Sequence, residues 1–442
     1  METTTPPPVR FPPQIKYIIG NEACERFSYY GMIGILENYL KDRMSMGADH
    51  ATEVLHVFAG AAYFVPLLGG WLADRWLGRY WTILIISLFY CLGHGTLAAS
   101  EGSRAGLYAG LALIAIGAGG IKPCVSAFVG DQFGPNDERA LTKVYSWFYW
   151  AINLGSAAAF LVIPFIKEKY GYSWAFAVPG MFMALATLFF WLGRKQYVRQ
   201  PPARLAPARS AAEKAEARKA VWRIVGIFIT VPFFWALFNQ SNSTWVLQGG
   251  KMTPLNLGGY LVDGERMQAS GAILVMIWVP IFTMLVFPFL ERIGWKPTAL
   301  RRMSAGMVLG AVSFVICGLV QARLDHGATL SIGWQLAPYF VLEAGEVLLS
   351  ATALEFAFSQ SPPSMKSLVT SFWLMAISGG HFLVALFTSL KVAAFKYLAA
   401  RGIQAQGAPE FYFYAALMFV VSAVFIIIAM RYRESKFTTA GL

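Results

Sequence analysis

The stretch "GRKQYVRQPPARLAPARSAAEKAEARKA", Gly193 to Ala220, is the longest polar segment of a 442-residue chain that is 57% hydrophobic and 14% charged. On each side of it, apolar runs long enough to cross a bilayer recur six times. This pattern predicts an all-α membrane protein with twelve transmembrane helices in two six-helix bundles. The segment is too short and too polar to contain an extra pair of helices.

The predicted limits of the spans are 15 to 41, 52 to 75, 79 to 100, 105 to 128, 142 to 166, 172 to 193, 221 to 248, 266 to 292, 297 to 322, 333 to 360, 366 to 397 and 408 to 433. The corresponding domains are a tail (1–14), a first bundle (15–193), a linker (194–220), a second bundle (221–433) and a second tail (434–442).

Most of the 36 Lys and Arg residues fall in loops on the same side of the predicted spans as the polar linker. The positive-inside rule places that side, and both termini, in the cytoplasm. Topology therefore explains the net charge of +12. An exposed basic domain for nucleic acid is not evident, so the expected surroundings of the chain are a lipid bilayer.

A glycine-rich loop, "GGWLADRWLGRY" from Gly69 to Tyr80, follows the second span. It places Asp74, Arg75 and Arg79 at the cytoplasmic face, where a carboxylate and arginines can form a closing ion pair. Its glycines allow close backbone approach and a tight turn. With one residue inserted, the loop resembles the loop signature of the major facilitator superfamily. In that superfamily, two helix bundles rock about a central site.

The first span contains "NEACERFSYYG", Asn21 to Gly31, with three charged side chains inside an apolar region. Each charge at mid-bilayer costs roughly 2.5 to 3.5 kcal/mol on insertion scales, so each normally faces a cavity or a partner. Glu22 and Arg26 are four residues apart and can pair on one helix face, flanked by Glu25, Tyr29 and Tyr30. Protonation of a glutamate would release the guanidinium to bind another carboxylate.

Two further spans carry buried charge. Lys122 follows three glycines and precedes Pro123 in "GAGGIKPC", where we expect an irregular helix that lets the ammonium reach a cavity. The tenth span carries Glu343, Glu346 and Glu355, of which Glu346 is the most central. Cations in one half and a carboxylate in the other predict a zwitterionic solute. The two charges of a dipeptide lie farther apart than those of an amino acid, which suits opposite walls of a cavity better.

Together these residues resemble the proton-dependent oligopeptide transporters of the major facilitator superfamily. The resemblance rests on "EACERFSYYG", on "FYWAINLGS" from Phe148 to Ser156, and on Lys122 and Glu346. It implies coupling of inward proton flow to uptake of dipeptides and tripeptides. It also implies that Arg26, Tyr30 and Lys122 face the peptide carboxylate, that Asn153 and Glu346 face its amine, and that Glu22 and Glu25 take part in proton coupling.

The core helices resemble the animal peptide transporters in particular, and the resemblance as a whole implies a compact bacterial member of the family in the inner membrane. "VLHVFAGAAYFVPLLGG" places His56 where those proteins carry a functional histidine, and imidazole titrates near neutral pH. We assign His94 and His381 structural roles. Tyr29 and Trp245 are candidates to line a pocket for peptide side chains, although packing is an alternative role for such aromatics.

Three positions depart from the family pattern. Where many members have an arginine and an acid that pair, this chain has Ile33 and Asn239, which suggests a different extracellular gate. An expected asparagine in the eighth span is Gly271, in "MQASGAIL".

The sequence thus predicts a monomeric symporter without a cofactor, with the proton as coupling ion, and not an enzyme, because it has no P-loop, Ser/His/Asp set or His-rich metal cluster. The alternatives are a proton-coupled transporter of another solute such as nitrate, and a peptide-binding membrane sensor.

Overall fold

The computed structural model describes residues 11–134, 138–202, 222, 225–359, 366–402 and 406–432. Helices dominate these residues. The first seven α-helices are α1 (Ile15–Asn38), α2 (Ala48–Phe64), α3 (Pro66–Leu72), α4 (Gly78–Ala99), α5 (Arg104–Gly130), α6 (Glu138–Tyr170) and α7 (Tyr172–Leu192).

The remaining helices are α8 (Val231–Phe238), α9 (Thr244–Gly249), α10 (Gly264–Met267), α11 (Ala269–Pro280), α12 (Phe287–Arg292), α13 (Ala299–Asp325), α14 (Leu336–Ser359), α15 (Lys366–Ala399) and α16 (Ala408–Arg431). Short π-helical turns occur at Tyr39–Arg43, Ala73–Leu77 and Ile281–Val286, and 3₁₀ turns at Gly193–Lys195, Asn239–Asn242 and Ile332–Gln335.

Between α9 and α10, strands β1 (Leu255–Leu257) and β2 (Tyr260–Val262) form an antiparallel hairpin. Its two-residue turn is Gly258 and Gly259, which both have positive φ, as a tight hairpin turn requires. The Asn256 side chain accepts a hydrogen bond from the Gly259 amide. The Tyr260 hydroxyl donates to the carbonyl of Leu161, which ties the hairpin to α6.

Nine helical segments of the described residues are long and apolar enough to cross a membrane. One of them, Ala48–Ala99, joins the predicted second and third spans. The predicted first span, α1, does not meet this criterion because it carries charged side chains along its length. In the described part of the seventh, a 3₁₀ turn separates α8 from α9.

The chain forms two compact units. Unit 1 comprises residues 1–32, 65–159 and 166–206, and unit 2 comprises residues 33–64, 160–165 and 207–442. The boundary within α1 lies between Met32 and Ile33, so α1 contributes to both units. The division into bundles at 15–193 and 221–433, with the linker and tails, stays a prediction. Residues 1–10, 203–221 and 433–442, which make up most of the predicted linker and tails, lie outside the described residues.

Unit 1 depends on a close helix approach at the glycine-rich loop. A Cβ at Gly69 would lie 2.6 Å from the Cα of Gly120, so α3 and α5 meet backbone to backbone. Gly78 has φ of 74°, which permits the turn into α4. These two glycines act as the sequence predicts. Gly70 does not, because a Cβ there would meet open space.

The core of unit 2 is a large apolar cluster in which α8, α13, α14, α15 and α16 converge. The fully buried side chains at its centre include Phe234, Phe314, Met307 and Phe425. Apolar side chains in lipid gain little from leaving one hydrocarbon environment for another, so close packing holds such a cluster together.

The glycine contact in unit 1 can be tested by stability. We expect Gly69→Val to lower the free energy of unfolding by about 1–3 kcal/mol, because the new side chain meets backbone that cannot rotate away. Gly70→Ala is the matched control one residue away, and it should be neutral or slightly stabilising. Thermal unfolding of the purified protein in detergent measures both; equal stability of the two variants would contradict the close approach.

Candidate functional site

The charged cluster of unit 1 lies on α1. Arg26 Nε is 3.0 Å from Glu22 Oε1, and the Arg26 guanidinium also contacts the Glu25 carboxylate. All three side chains are buried, with Glu25 at 0% exposure and Arg26 at 7%. The Glu22–Arg26 pair is as the spacing predicts. Glu25 is a second partner of the guanidinium rather than a flanking group.

Lys122 on α5 belongs to the same cluster. Its ammonium lies 4.1 Å from the ring centroid of Tyr29, a cation–π contact, and it is within electrostatic reach of Glu22 and Glu25. Two carboxylates therefore face two cations, and the cluster is neutral when all four groups are ionised. The irregularity that the sequence predicts at Lys122 does not interrupt the helix, because α5 continues through Pro123.

Hydrogen bonds fix α1 against α4 and α7. Asn21 donates to the carbonyl of Ala186 at 2.9 Å, and the Ser28 hydroxyl lies 2.9 Å from His94 Nε2. His94 thus has a structural contact to the residue that precedes Tyr29. The rings of Tyr29 and Tyr30 meet edge to face at 5.5 Å, and Tyr29 is almost completely buried.

The "FYWAINLGS" segment packs α6 against this part of α1. A Cβ at Gly155 would lie 2.6 Å from the Ala23 carbonyl and 3.2 Å from Arg26 Cβ, so only glycine allows the approach. Asn153, two residues earlier, is buried and donates to the Tyr149 carbonyl in the preceding turn. The structure thus brings α6 to the charged cluster, and a role for Asn153 in binding stays a prediction.

The predicted cytoplasmic ion pair has a different main partner. Arg79 forms a close ion pair with Asp131 at the end of α5, while Asp74 lies 3.8 Å from the same guanidinium and is largely exposed. Arg75 is exposed. Asp131 is absent from the sequence prediction, although an acid directly after an apolar span was a usable signal.

In unit 2, α14 carries the acidic residues. Glu346 is partly buried, and Glu343, one turn earlier, is 2% exposed. A Cβ at Gly271 on α11 would lie 2.7 Å from Glu343 Oε1. The absence of a side chain at Gly271 therefore makes room for the Glu343 carboxylate. The sequence shows that glycine replaces the expected asparagine, but it does not reveal this contact.

Trp245 is fully buried in the core of unit 2. Its ring meets Tyr339 edge to face at 4.8 Å, and its carbonyl accepts a hydrogen bond from Gln335. These contacts support the packing role that the sequence left open, and contact with a peptide stays a prediction. Ile33 and Asn239 are also buried, and a gate at these positions stays a prediction.

His56 on α2 lies at the centre of a polar network in unit 2. Its Nε2 is 2.8 Å from Ser243 Oγ, and its Nδ1 is 2.9 Å from Nδ1 of His381 on α15. The Tyr63 ring stacks on His381 at a centroid distance of 5.7 Å. His381, for which the sequence predicted only a structural role, is a direct neighbour of the predicted proton carrier.

The sequence matches the model of the PTR2 (POT) family over residues 80–211 and 203–403. The chain belongs to the POT family. Related proteins include Solute carrier family 15 member 2 of Mus musculus, 35% identical over 362 residues (71% of this chain and 50% of that protein). Solute carrier family 15 member 1 of Homo sapiens is 35% identical over 373 residues (71% and 52%). This POT family chain spans about half the length of these curated relatives.

Solved structures match over almost the whole length. The crystal structure of an auto-inhibited POT family peptide transporter superposes with a TM-score of 0.88 at 36% identity, covering 97% of this chain and 99% of that one. The POT family transporter PepTSo gives the same score and identity, with 96% and 98% covered. These matches confirm the predicted all-α membrane protein with a major facilitator fold.

The contact between Gly271 and Glu343 predicts that substitutions at these two positions have non-additive effects on the free energy of unfolding. Gly271→Asn places a side chain where the buried carboxylate lies, so we expect it to lower the free energy of unfolding by about 1–3 kcal/mol. In a Glu343→Ala background the same change should cost less, since the space is vacated. A double-mutant cycle of thermal stability measures the difference. Additive effects would show that the two positions do not share this space.

Proposed function

We propose that this POT family member is a proton-coupled symporter that imports dipeptides and tripeptides by alternating access. It would work as a monomer in the bacterial inner membrane with both termini in the cytoplasm, without a cofactor. The observation that carries the proposal is the burial of Arg26 between Glu22 and Glu25, beside Lys122.

The chemistry of this cluster suits coupling of a proton to an anionic group. With all four groups ionised, the two carboxylates neutralise the two cations. Protonation of one glutamate removes a negative charge and leaves the cluster with a net charge of +1. The terminal carboxylate of a peptide restores neutrality, and a guanidinium can bind it through two parallel hydrogen bonds.

The amine end of the peptide requires an anionic group. Glu346 supplies one on α14, and Asn153 on α6 supplies an amide. An inorganic anion such as nitrate has no cationic end for Glu346 to bind, which favours a zwitterionic substrate. Tyr30 and Lys122 would assist Arg26 at the carboxylate end.

The related proteins support this choice of substrate class. One of the solved structures at 36% identity is that of a peptide transporter of the same family. The sequence resemblance relates the charged cluster and Glu346 to the family motifs, and we propose the division of roles that it implies for this chain. Transport also agrees with the absence of a catalytic constellation in the sequence, and an enzyme is not proposed.

The test is uptake of radiolabelled dialanine into proteoliposomes, with and without an imposed inward proton gradient. We expect the wild type to accumulate dialanine only with the gradient. Glu22→Gln replaces a carboxylate that must gain and lose a proton, and Glu346→Gln removes the charge for the amine. Both variants should therefore fall to the gradient-free level, whereas Glu291→Gln, an exposed glutamate on α12, should behave as the wild type.

Other outcomes separate the alternatives. Dialanine binding without accumulation across a sealed membrane would favour a sensor. Failure of sound protein to transport any short peptide would contradict the substrate class, and nitrate uptake would then be the next assay. Uptake that depends on ATP rather than on the gradient would exclude a symporter.

A further inference from the structure

The contact between His56 and His381 constrains the protons of both imidazoles. Their Nδ1 atoms lie 2.9 Å apart, and His56 Nε2 lies 2.8 Å from Ser243 Oγ. The two rings are buried, at 0% and 3% exposure. At such a distance between two ring nitrogens, one must donate a proton and the other must accept it.

The packing of α2 against α15 fixes this geometry. One turn beyond His56, the Gly60 carbonyl accepts a hydrogen bond from the Ser378 hydroxyl at 2.8 Å. A Cβ at Gly60 would lie 2.9 Å from the Phe382 ring, next to His381. The Phe382 ring therefore fills the space that a side chain at position 60 would need, and the Ser378 hydrogen bond ties α15 to α2 beside the two imidazoles.

With both histidines neutral, the network has two complete arrangements. In the first, His56 donates from Nδ1 to His381 and accepts from Ser243 at Nε2. In the second, His381 donates from Nδ1 to His56, and His56 donates from Nε2 to Ser243. A serine hydroxyl can act as donor or acceptor, so both arrangements satisfy the polar atoms that meet.

One additional proton also fits without loss of a contact. An imidazolium at His56 donates from Nδ1 to His381 and from Nε2 to Ser243. A second proton on His381 Nδ1 would place two N–H groups face to face and break the Nδ1 to Nδ1 hydrogen bond. The pair therefore holds one extra proton with its geometry intact, and a second only if the rings separate.

We propose that His381 is a second proton-holding residue of this transporter, and that His56 and His381 together bind a single proton, with Ser243 as the further hydrogen-bond partner of His56. The proposal rests on the proton coupling proposed above and adds a residue and a stoichiometry to it. The proton enters as H⁺ on one ring nitrogen and leaves from the same pair, so no other reactant is required.

Several titratable groups lie on the elements packed around the pair. Glu37 at the end of α1 accepts a hydrogen bond from Thr52, one turn before His56. Towards the same end of α2 and α15, Lys391 pairs with Asp49 and with Glu410. Tyr63 contacts His381 directly. The facing α8 and the 3₁₀ turn before Ser243 carry no ionisable side chain, and α14 carries Tyr339, Glu343, Glu346 and Glu355.

A direct test uses the small number of histidines. The chain has five, so ¹⁵N-histidine labelling of the wild type in nanodiscs gives five imidazoles, which His→Gln variants assign. We expect a scalar coupling between the two Nδ1 atoms across their hydrogen bond, kept while the pair gains its first proton on acidification. Independent protonation of both rings with no coupling at any pH would overturn the proposal.

A transport test separates a proton-holding role from a structural one. His381→Phe removes the acceptor for a protonated His56, so the external pH at half-maximal gradient-driven uptake should fall by about one unit. His381→Gln keeps a carbonyl acceptor and should recover part of this shift. The ratio of gradient-driven uptake to gradient-free exchange should fall with His381→Phe and less with His381→Gln. His50→Gln, at an exposed position on α2, is the control.

A purely structural role would give a different result. Both His381 variants would then lower exchange and driven uptake by the same factor with an unchanged pH profile, which would overturn the proposal. If the wild type itself shows no proton-driven peptide uptake, the proposed function fails, while the nitrogen coupling still decides whether the pair shares one proton.

Discussion

The buried guanidinium of Arg26 is the constraint on which the arrangement of unit 1 depends. Arg26 is 7% exposed, so water solvates its charge poorly. Removal of one partner from a buried pair typically costs about 3–5 kcal/mol because the other charge stays uncompensated. The two carboxylates on the same helix satisfy the guanidinium, and Lys122 balances the second carboxylate. Each group is thus stable only while the others keep their charge, which makes the cluster responsive to a single proton.

Close helix packing makes this balance possible. Glycine at 155 lets α6 approach the backbone of α1 beside Arg26, and glycines at 69 and 120 bring α3 onto α5, the helix that carries Lys122. In a bilayer the hydrophobic effect does not drive helices together, so small residues and buried polar contacts set their separation. The same residues that read as family motifs therefore have a packing function that positions the charges.

Much of this could be predicted from the sequence. Hydropathy gives the helical membrane fold, and the i, i+4 spacing gives the Glu22–Arg26 pair, because both depend on local periodicity. Asp131 and His381 escaped prediction because their partners lie far away in the chain, and spacing carries no information about such contacts. Gly271 was recognised as a departure, but its meaning depends on a carboxylate of another helix, which only the packing of α11 against α14 reveals.

The charged cluster of unit 1 and the histidine pair of unit 2 respond to a proton in different ways. In unit 1 the charges of Glu22, Glu25, Arg26 and Lys122 compensate one another, so uptake of a proton changes the electrostatic balance of the whole cluster. In unit 2 the imidazoles of His56 and His381 satisfy each other while neutral, and they can take up one proton without losing a contact. A proton on the histidine pair therefore leaves its hydrogen bonds intact, whereas a proton on the charged cluster of unit 1 leaves a positive charge that an anion can compensate. Such a difference would let the histidine pair hold a proton, while protonation of the charged cluster would raise its affinity for a carboxylate.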